Sequence, residues 1–280
     1  MIVDFHTHIY PLSLREQRET YLSRDRTFGE LFSDPRAKMA TAEELVAAMD
    51  EDGVDRSVVM GIGWTDQGVA REVNDYLIDA TSRFPDRLTG FAGVNPAWGN
   101  EASALEAERC SRAGLRGIGE LHPSSQGFDL GNESVMAPLM EVVRERGLIV
   151  TTHSSEPVGH TYQGKGDTRP EMLWRFITQH PDMTLVCAHW GGGLPFYALM
   201  PEVAEALNNV YFDTAASPFL YDARVFEVVT ELVGAEKILL GSDYPLLSAS
   251  RLTRQVHEAD LSDADRSAIL GGNAARLLGM

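Results

Sequence analysis

The sequence predicts a (β/α)8 barrel of the TIM type, with long loops after its first and fifth strands, over a single domain of residues 1–280. Three observations predict it. Eight short apolar runs alternate with helix-patterned segments along the whole chain, and parallel strands need such crossovers. Runs such as Ser57-Val58-Val59-Met60 and Ile238-Leu239-Leu240 are nearly continuous in apolar character, which suits strands covered on both faces. Eight strands are also the number that closes a barrel, whereas an open dinucleotide-type sheet would carry GxGxxG after the first strand, and none is there.

The expected strands are Ile2–His6, Arg56–Ile62, Leu88–Asn95, Leu115–His122, Leu148–His153, Thr184–His189, Val210–Asp213 and Ile238–Asp243. Helices are expected at Thr41–Asp52, Val69–Arg83, Glu101–Arg112, Ser134–Arg146, Arg169–Gln179, Leu194–Leu207 and Asp222–Val233, with a closing pair at Ala249–His257 and Ser262–Leu278. Thr41 with Glu44 fits a capping box, and Ser262 with Asp265 is a looser version. Two connections are long, Pro11–Ala40 and Ser154–Thr168, and long loops on the catalytic face of a barrel commonly act as lids.

Composition narrows the functional classes. With 24 basic against 41 acidic side chains the net charge is −17, which repels phosphate backbones and argues against nucleic acid as partner. No apolar run is long enough to span a membrane, and the first residues lack a signal-peptide pattern, so a cytoplasmic location is expected. Cys110 and Cys187 form no CxxC pair, which excludes a thiolate zinc cluster. The expected partner is a small-molecule substrate, with a homodimer as a candidate assembly.

Polar residues gather at the strand ends. His6 and His8 close the first strand, Glu120 and His122 the fourth, His153 the fifth, His189 the sixth and Asp243 the eighth. This is the end at which barrel enzymes place their active sites. On a regular strand, residues i and i+2 share a face ~7 Å apart, so the two imidazoles of His6 and His8 can converge on one ion. Together with His153, His189 and Asp243 they form a shell suited to zinc, manganese or iron, zinc being taken first. His122 is read equally as a substrate contact or a strand cap. Trp64, Trp98 and Trp190 follow strand ends and either line a pocket or pack at the rim. Asp4 is expected to brace the barrel floor, Cys187 to lie in the packed core, and His160, His180 and His257 to lie on the surface.

Val3-Asp4-Phe5-His6-Thr7-His8, strand-end His153, Ala188-His189-Trp190-Gly191-Gly192, Gly241-Ser242-Asp243-Tyr244-Pro245 and the tail Gly272-Asn273-Ala274-Ala275-Arg276 resemble the amidohydrolase superfamily. Within it they resemble the amidohydrolase-2 group, related to aminocarboxymuconate-semialdehyde decarboxylase. The resemblance implies that His6, His8, His153 and Asp243 ligate one divalent metal. It implies that His189 stands beside the metal and that Asp243 also handles the proton of its water. Lys38, Lys165 and Lys237 are the only lysines and none ends a strand, which removes the carboxylated-lysine binuclear subtype. Glu120 resembles instead the bridging glutamate of TatD-type deoxyribonucleases, so Glu120 and His189 are candidates for a second metal, or Glu120 simply orients a ligand histidine.

Metal-activated water then attacks an ester, lactone or amide, with Asp243 as acid/base and His189 stabilising the oxyanion; hydrolysis is the expected reaction. Non-oxidative decarboxylation of a small carboxylic acid is the alternative, and a non-catalytic metal-binding barrel is the alternative of another class. An anionic substrate would need a cation from the first long loop. Arg15, Arg18, Arg24 and Arg26 lie there, with acidic residues interleaved.

Overall fold

The computed structural model describes residues 1–99 and 101–280. Eight strands run parallel in the order β1 to β8: Val3–His8, Arg56–Met60, Leu88–Ala92, Gly117–Leu121, Ile149–Thr152, Leu185–Cys187, Val210–Asp213 and Ile238–Leu239. The two ends of the sheet meet. The Phe5 amide donates to the Leu240 carbonyl at 2.7 Å and the Asp243 amide to the His6 carbonyl at 2.9 Å, completing a barrel. No helix of the described residues is long and apolar enough to cross a membrane.

The strands are mostly shorter than the apolar pattern predicts. Strand β8 has only two residues and β6 three, so His122, His153, His189 and Asp243 all stand just beyond a strand rather than on it. The chain turns sharply there: His189, Trp190 and Asp243 take left-handed backbone angles, with φ of 55°, 58° and 67°. Strand β1, by contrast, runs on to His8.

Two register shifts decide which side chains face the axis. Between Asp4 and Thr7, β1 holds one residue more than β2, and between Ile118 and Leu121 the same happens against β5. Such bulges flip the facing of everything after them. Phe5 packs inside the barrel with Val58, Met60 and Phe91, and His6, one residue later, also turns inward. Asp4 is correspondingly not on the floor. Its carboxylate accepts from the Ser242 amide and hydroxyl and stitches β1 to the segment after β8.

The first long connection is not an open loop. It folds into three short helices, Leu12–Glu16, Arg18–Arg24 and Arg26–Phe32, whose Leu14, Tyr21, Phe28 and Phe32 are buried. The segment after β5, Ser154–Thr168, has no helix. The expected helix Leu194–Leu207 is broken into a 3-10 turn at Leu194–Tyr197 and a helix at Pro201–Ala206, and Pro195 and Pro201 each stand in the first turn of their piece, where a missing amide costs least. The Thr41–Glu44 capping box is present, and Ser262 caps Asp265. At the tail, the Asn273 amide donates to the carbonyls of Ala235 and Ile238, while Ala274 and Leu278 pack with Val3 and Phe5 inside the barrel.

Candidate active site

At the carboxyl-terminal end of the barrel lies a cavity of about 660 Å³, whose lining includes His8, Glu120, His122, His153, His189 and Asp243. That volume suits a small molecule. Trp64 and Trp190 do not line it. Trp64 is fully buried between Phe28 and Tyr10, and Trp190 packs edge-on against Phe226 with its indole N–H on the Ser217 hydroxyl. The pocket reading of both is therefore corrected: the chain after β2 and β6 turns these large apolar rings away from the cavity into the surrounding core. Trp98 is tied to the Thr65 carbonyl through its indole N–H. His160 is exposed, as expected, at the cavity mouth.

The histidines are oriented from behind. His6 Nδ1 lies 2.8 Å from Asp213 Oδ2, His153 Nε2 lies 2.9 Å from the Lys165 carbonyl, and His189 Nδ1 lies 3.1 Å from the Ala215 carbonyl. Each of these oxygens only accepts, so the ring nitrogen facing it carries the hydrogen. In the neutral ring the opposite nitrogen is then a lone pair, and in all three it points into one small volume. His6 Nε2 is 3.0 Å from His8 Nε2, and His8 Nε2 is 3.3 Å from Asp243 Oδ1. His153 Nδ1 and His189 Nε2 lie 3.0 and 3.5 Å from Glu120 Oε1. Glu120 Oε2 faces the other way, 3.6 Å from His6 Nε2 and 3.8 Å from His8 Nε2. His8 Nδ1 is buried without a partner.

Inward lone pairs and two carboxylates repel one another unless positive charge sits among them. Without a metal that charge is a proton. Burial pushes His189 down, but Glu120 and Asp243 outweigh it and raise it to about 9. Burial likewise opposes, and Asp213 and Glu120 overcome, for His6, which is held well above the usual imidazole range. Burial would raise both carboxylates, yet the histidines keep Glu120 well below and Asp243 below the ordinary range. A divalent cation meets the same demand, since metal ligands are the deprotonated forms. Two sets of side chains bring their donor atoms within 4.8 Å of one another: His6, His8 and Asp243, and His6, Glu120 and His189. His153 stands at the edge, with Nδ1 turned toward Glu120.

His122 is already engaged. Nε2 donates to the Gly164 carbonyl at 2.9 Å, Nδ1 accepts from the Ser125 amide, and the ring stacks on His153 at 4.1 Å between centroids. Burial, then the neighbouring His153 ring, lower it to about 4, so it lines the cavity as a neutral flat face. Asp213 was not among the site residues read from the sequence. Beyond His6 it holds the His189 and Ala215 amides at 3.0 Å each, fixing the turn that carries His189. The signal available was a carboxylate closing the seventh strand, at the same level as the others.

The chain resembles known proteins over its full length. It is 23% identical to a 2-amino-3-carboxymuconate-6-semialdehyde decarboxylase of Dictyostelium discoideum, covering 99% of this chain and 91% of that one. It is 22% identical to a gamma-resorcylate decarboxylase of Polaromonas sp., covering 83% and 85%. The structure of a 5-carboxyvanillate decarboxylase from Novosphingobium aromaticivorans, complexed with manganese and 4-hydroxy-3-methoxy-5-nitrobenzoic acid, superposes with a TM-score of 0.81. It is 17% identical and covers 100% of this chain and 96% of that one. The hydrolysis expected from the sequence is thereby corrected: these similar proteins are decarboxylases, the class of reaction read above as the alternative. The error has a physical source, because the same imidazoles and carboxylate serve either attack by water or protonation of carbon. The amidohydrolase family model matches residues 3–280, and the chain belongs to the amidohydrolase family, in its amidohydrolase-2 group.

Proposed function

We propose that this enzyme is a metal-dependent, non-oxidative decarboxylase of a small aromatic or conjugated carboxylic acid. The observation that carries the reading is the convergence of imidazole lone pairs and two carboxylates on the floor of a cavity of small-molecule size. The decarboxylase relatives support the choice of reaction.

His6, His8 and Asp243 would hold one divalent ion, with His153 completing the set through Nδ1. A bound divalent ion supplies Lewis acidity to the substrate's oxygens and steadies the electron-rich state through which the carboxylate leaves. Asp243, ionised at rest, takes up a proton released by substrate or water and delivers it to the carbon that bears the carboxylate. The carbon–carboxylate bond then breaks, its electron pair returns to the conjugated system, and CO2 departs. His189, in its imidazolium form with Nδ1–H on the Ala215 carbonyl, donates from Nε2 to a substrate oxygen as charge builds there. The apolar walls at Phe32 and Ile62 exclude water, and the neutral His122 ring offers a flat contact. Zinc, first on chemical grounds, and manganese, present in a similar structure, are the two ions to test.

One observation favours a second ion. The two oxygens of Glu120 face opposite halves of the cluster, as a bridging carboxylate would. Elemental analysis of wild type and Glu120→Gln decides: two ions per chain falling to one supports bridging, and one ion in both proteins excludes it. His8→Ala should lose most of the bound metal, and full occupancy in that variant refutes the ligand set.

The test of function is CO2 release in D2O by metal-loaded protein given gamma-resorcylate, 5-carboxyvanillate and aminocarboxymuconate semialdehyde. CO2 with one deuterium at the vacated carbon is the expected outcome. Fully metallated protein that releases no CO2 from any aromatic or conjugated acid overturns the reading.

A further inference from the structure

Among the described residues, the buried part of the cavity lining holds one side-chain donor outside the histidine cluster that nothing answers. Tyr10 lies two residues past His8, lines the cavity with Asp243 and is only 2% exposed. Its hydroxyl makes no hydrogen bond among the described residues, yet it is not sealed as His8 Nδ1 is, so its oxygen opens on the cavity. The neighbouring polar groups of the lining are committed. His122 is held at both nitrogens, Tyr162 donates to Glu156 Oε2 at 3.3 Å, the Gln163 side chain donates to the Ser33 hydroxyl at 2.9 Å, and Arg36 pairs with Asp34 at 2.7 Å. Lys38 and His160 are exposed at the mouth.

The Tyr10 ring is clamped, which gives its hydroxyl a fixed position. Phe32 and Trp64 meet it edge-on at 5.4 and 6.3 Å between centroids, and Phe28 stacks with both of them at 4.7 and 6.2 Å. The Tyr10 amide donates to the Ala40 carbonyl at 2.8 Å and fixes the backbone beneath the ring. These contacts are apolar or main-chain. They account for an aromatic ring at position 10 but not for its hydroxyl, since phenylalanine would make them all. A buried O–H without an acceptor costs free energy. A phenol keeps its proton at neutral pH, so the cavity presents a donor there. A carboxylate can answer it, because its two oxygens offer about four lone-pair sites and a metal ion takes only some of them.

We propose that Tyr10 is a substrate-binding residue whose hydroxyl donates to the carboxylate of the bound acid, the group that leaves. This rests on the decarboxylase reading for the fate of that carboxylate, but not for the hydrogen bond itself, which binding alone can test. The contact exists in the bound acid and is lost as CO2 departs, so it strengthens binding rather than the chemical step.

The probes are benzoate and nitrobenzene, which has the same shape without the charge, titrated calorimetrically into metal-loaded wild type and Tyr10→Phe of equal metal content. A hydrogen bond to a charged oxygen, at the low end of its range, is worth about tenfold in affinity. Tyr10→Phe should bind benzoate about tenfold more weakly and bind nitrobenzene as wild type does. Unchanged benzoate affinity, or an equal loss for both ligands, overturns the proposal. With an acid that is turned over, the loss should fall on KM; a loss confined to kcat places Tyr10 in the chemical step and overturns it as well. CO2 assays on the same proteins keep the outcomes separate: weakening specific to benzoate without any CO2 release from any acid supports Tyr10 while refuting the decarboxylase reading.

Discussion

The two ends of this barrel are built from the same eight strands and behave as opposites. At the amino-terminal end, Phe5 and Phe91 meet edge-on at 5.7 Å, packed with Val58, Met60 and Leu278 and sealed from solvent. At the carboxyl-terminal end, imidazoles and carboxylates crowd within 4 Å of one another around an open cavity. The first arrangement lowers the free energy of the fold by burying apolar surface. The second raises it by burying charge that only a cation can reconcile. Stability and function are therefore separated along one axis, and the separation can be tested by disturbing each end in turn.

The largest expected effect is at the plug. Phe91→Ala should cost about 3–5 kcal/mol of stability through the cavity it opens. Metal content of the folded fraction should be unchanged. Denaturant unfolding with elemental analysis checks both, and metal loss in a still-folded variant would show that the two ends are coupled.

At the floor the signs reverse. His189→Asn should keep its metal and its melting temperature within a few degrees, yet lose about 10² to 10³ in kcat, the usual cost of removing one transition-state donor. Metal lost together with activity would make His189 a ligand and favour the two-ion centre. An unchanged kcat would remove it from the mechanism.

The smallest effect is thermal. Loading the metal to about 100 times its dissociation constant should stabilise the fold by about 2.7 kcal/mol, roughly 5 °C in melting temperature. In Phe91→Ala the same increment should persist, because the plug does not touch the ligands. Identical melting curves with and without metal would mean that the charged floor is reconciled by protons alone.

Much of the site was legible one residue at a time. His6, His8, Glu120, His153, His189 and Asp243 declare themselves because polar residues closing apolar runs have few structural reasons to be there. Trp64 and Trp190 misled for a related reason: their place just after a strand marks a level in the barrel but not a direction. The reaction was not legible, because hydrolysis and decarboxylation use the same groups and differ in what the cavity holds.

The sequence by itself determined the barrel, through the repeat of eight buried runs, and the identity of the cluster, through which residues end them. Only the tertiary structure decided how those residues point. A strict two-residue period sends Phe5 and His6 to opposite faces, and the bulges of β1 and β4 bring them, and Glu120, to the axis. The oxygens that accept from His6, His153 and His189, the Asp213 carboxylate and the Lys165 and Ala215 carbonyls, lie 207, 12 and 26 residues away. Local pattern records the period of a strand. It does not record where one extra residue breaks that period, nor which distant oxygen will stand behind a ring.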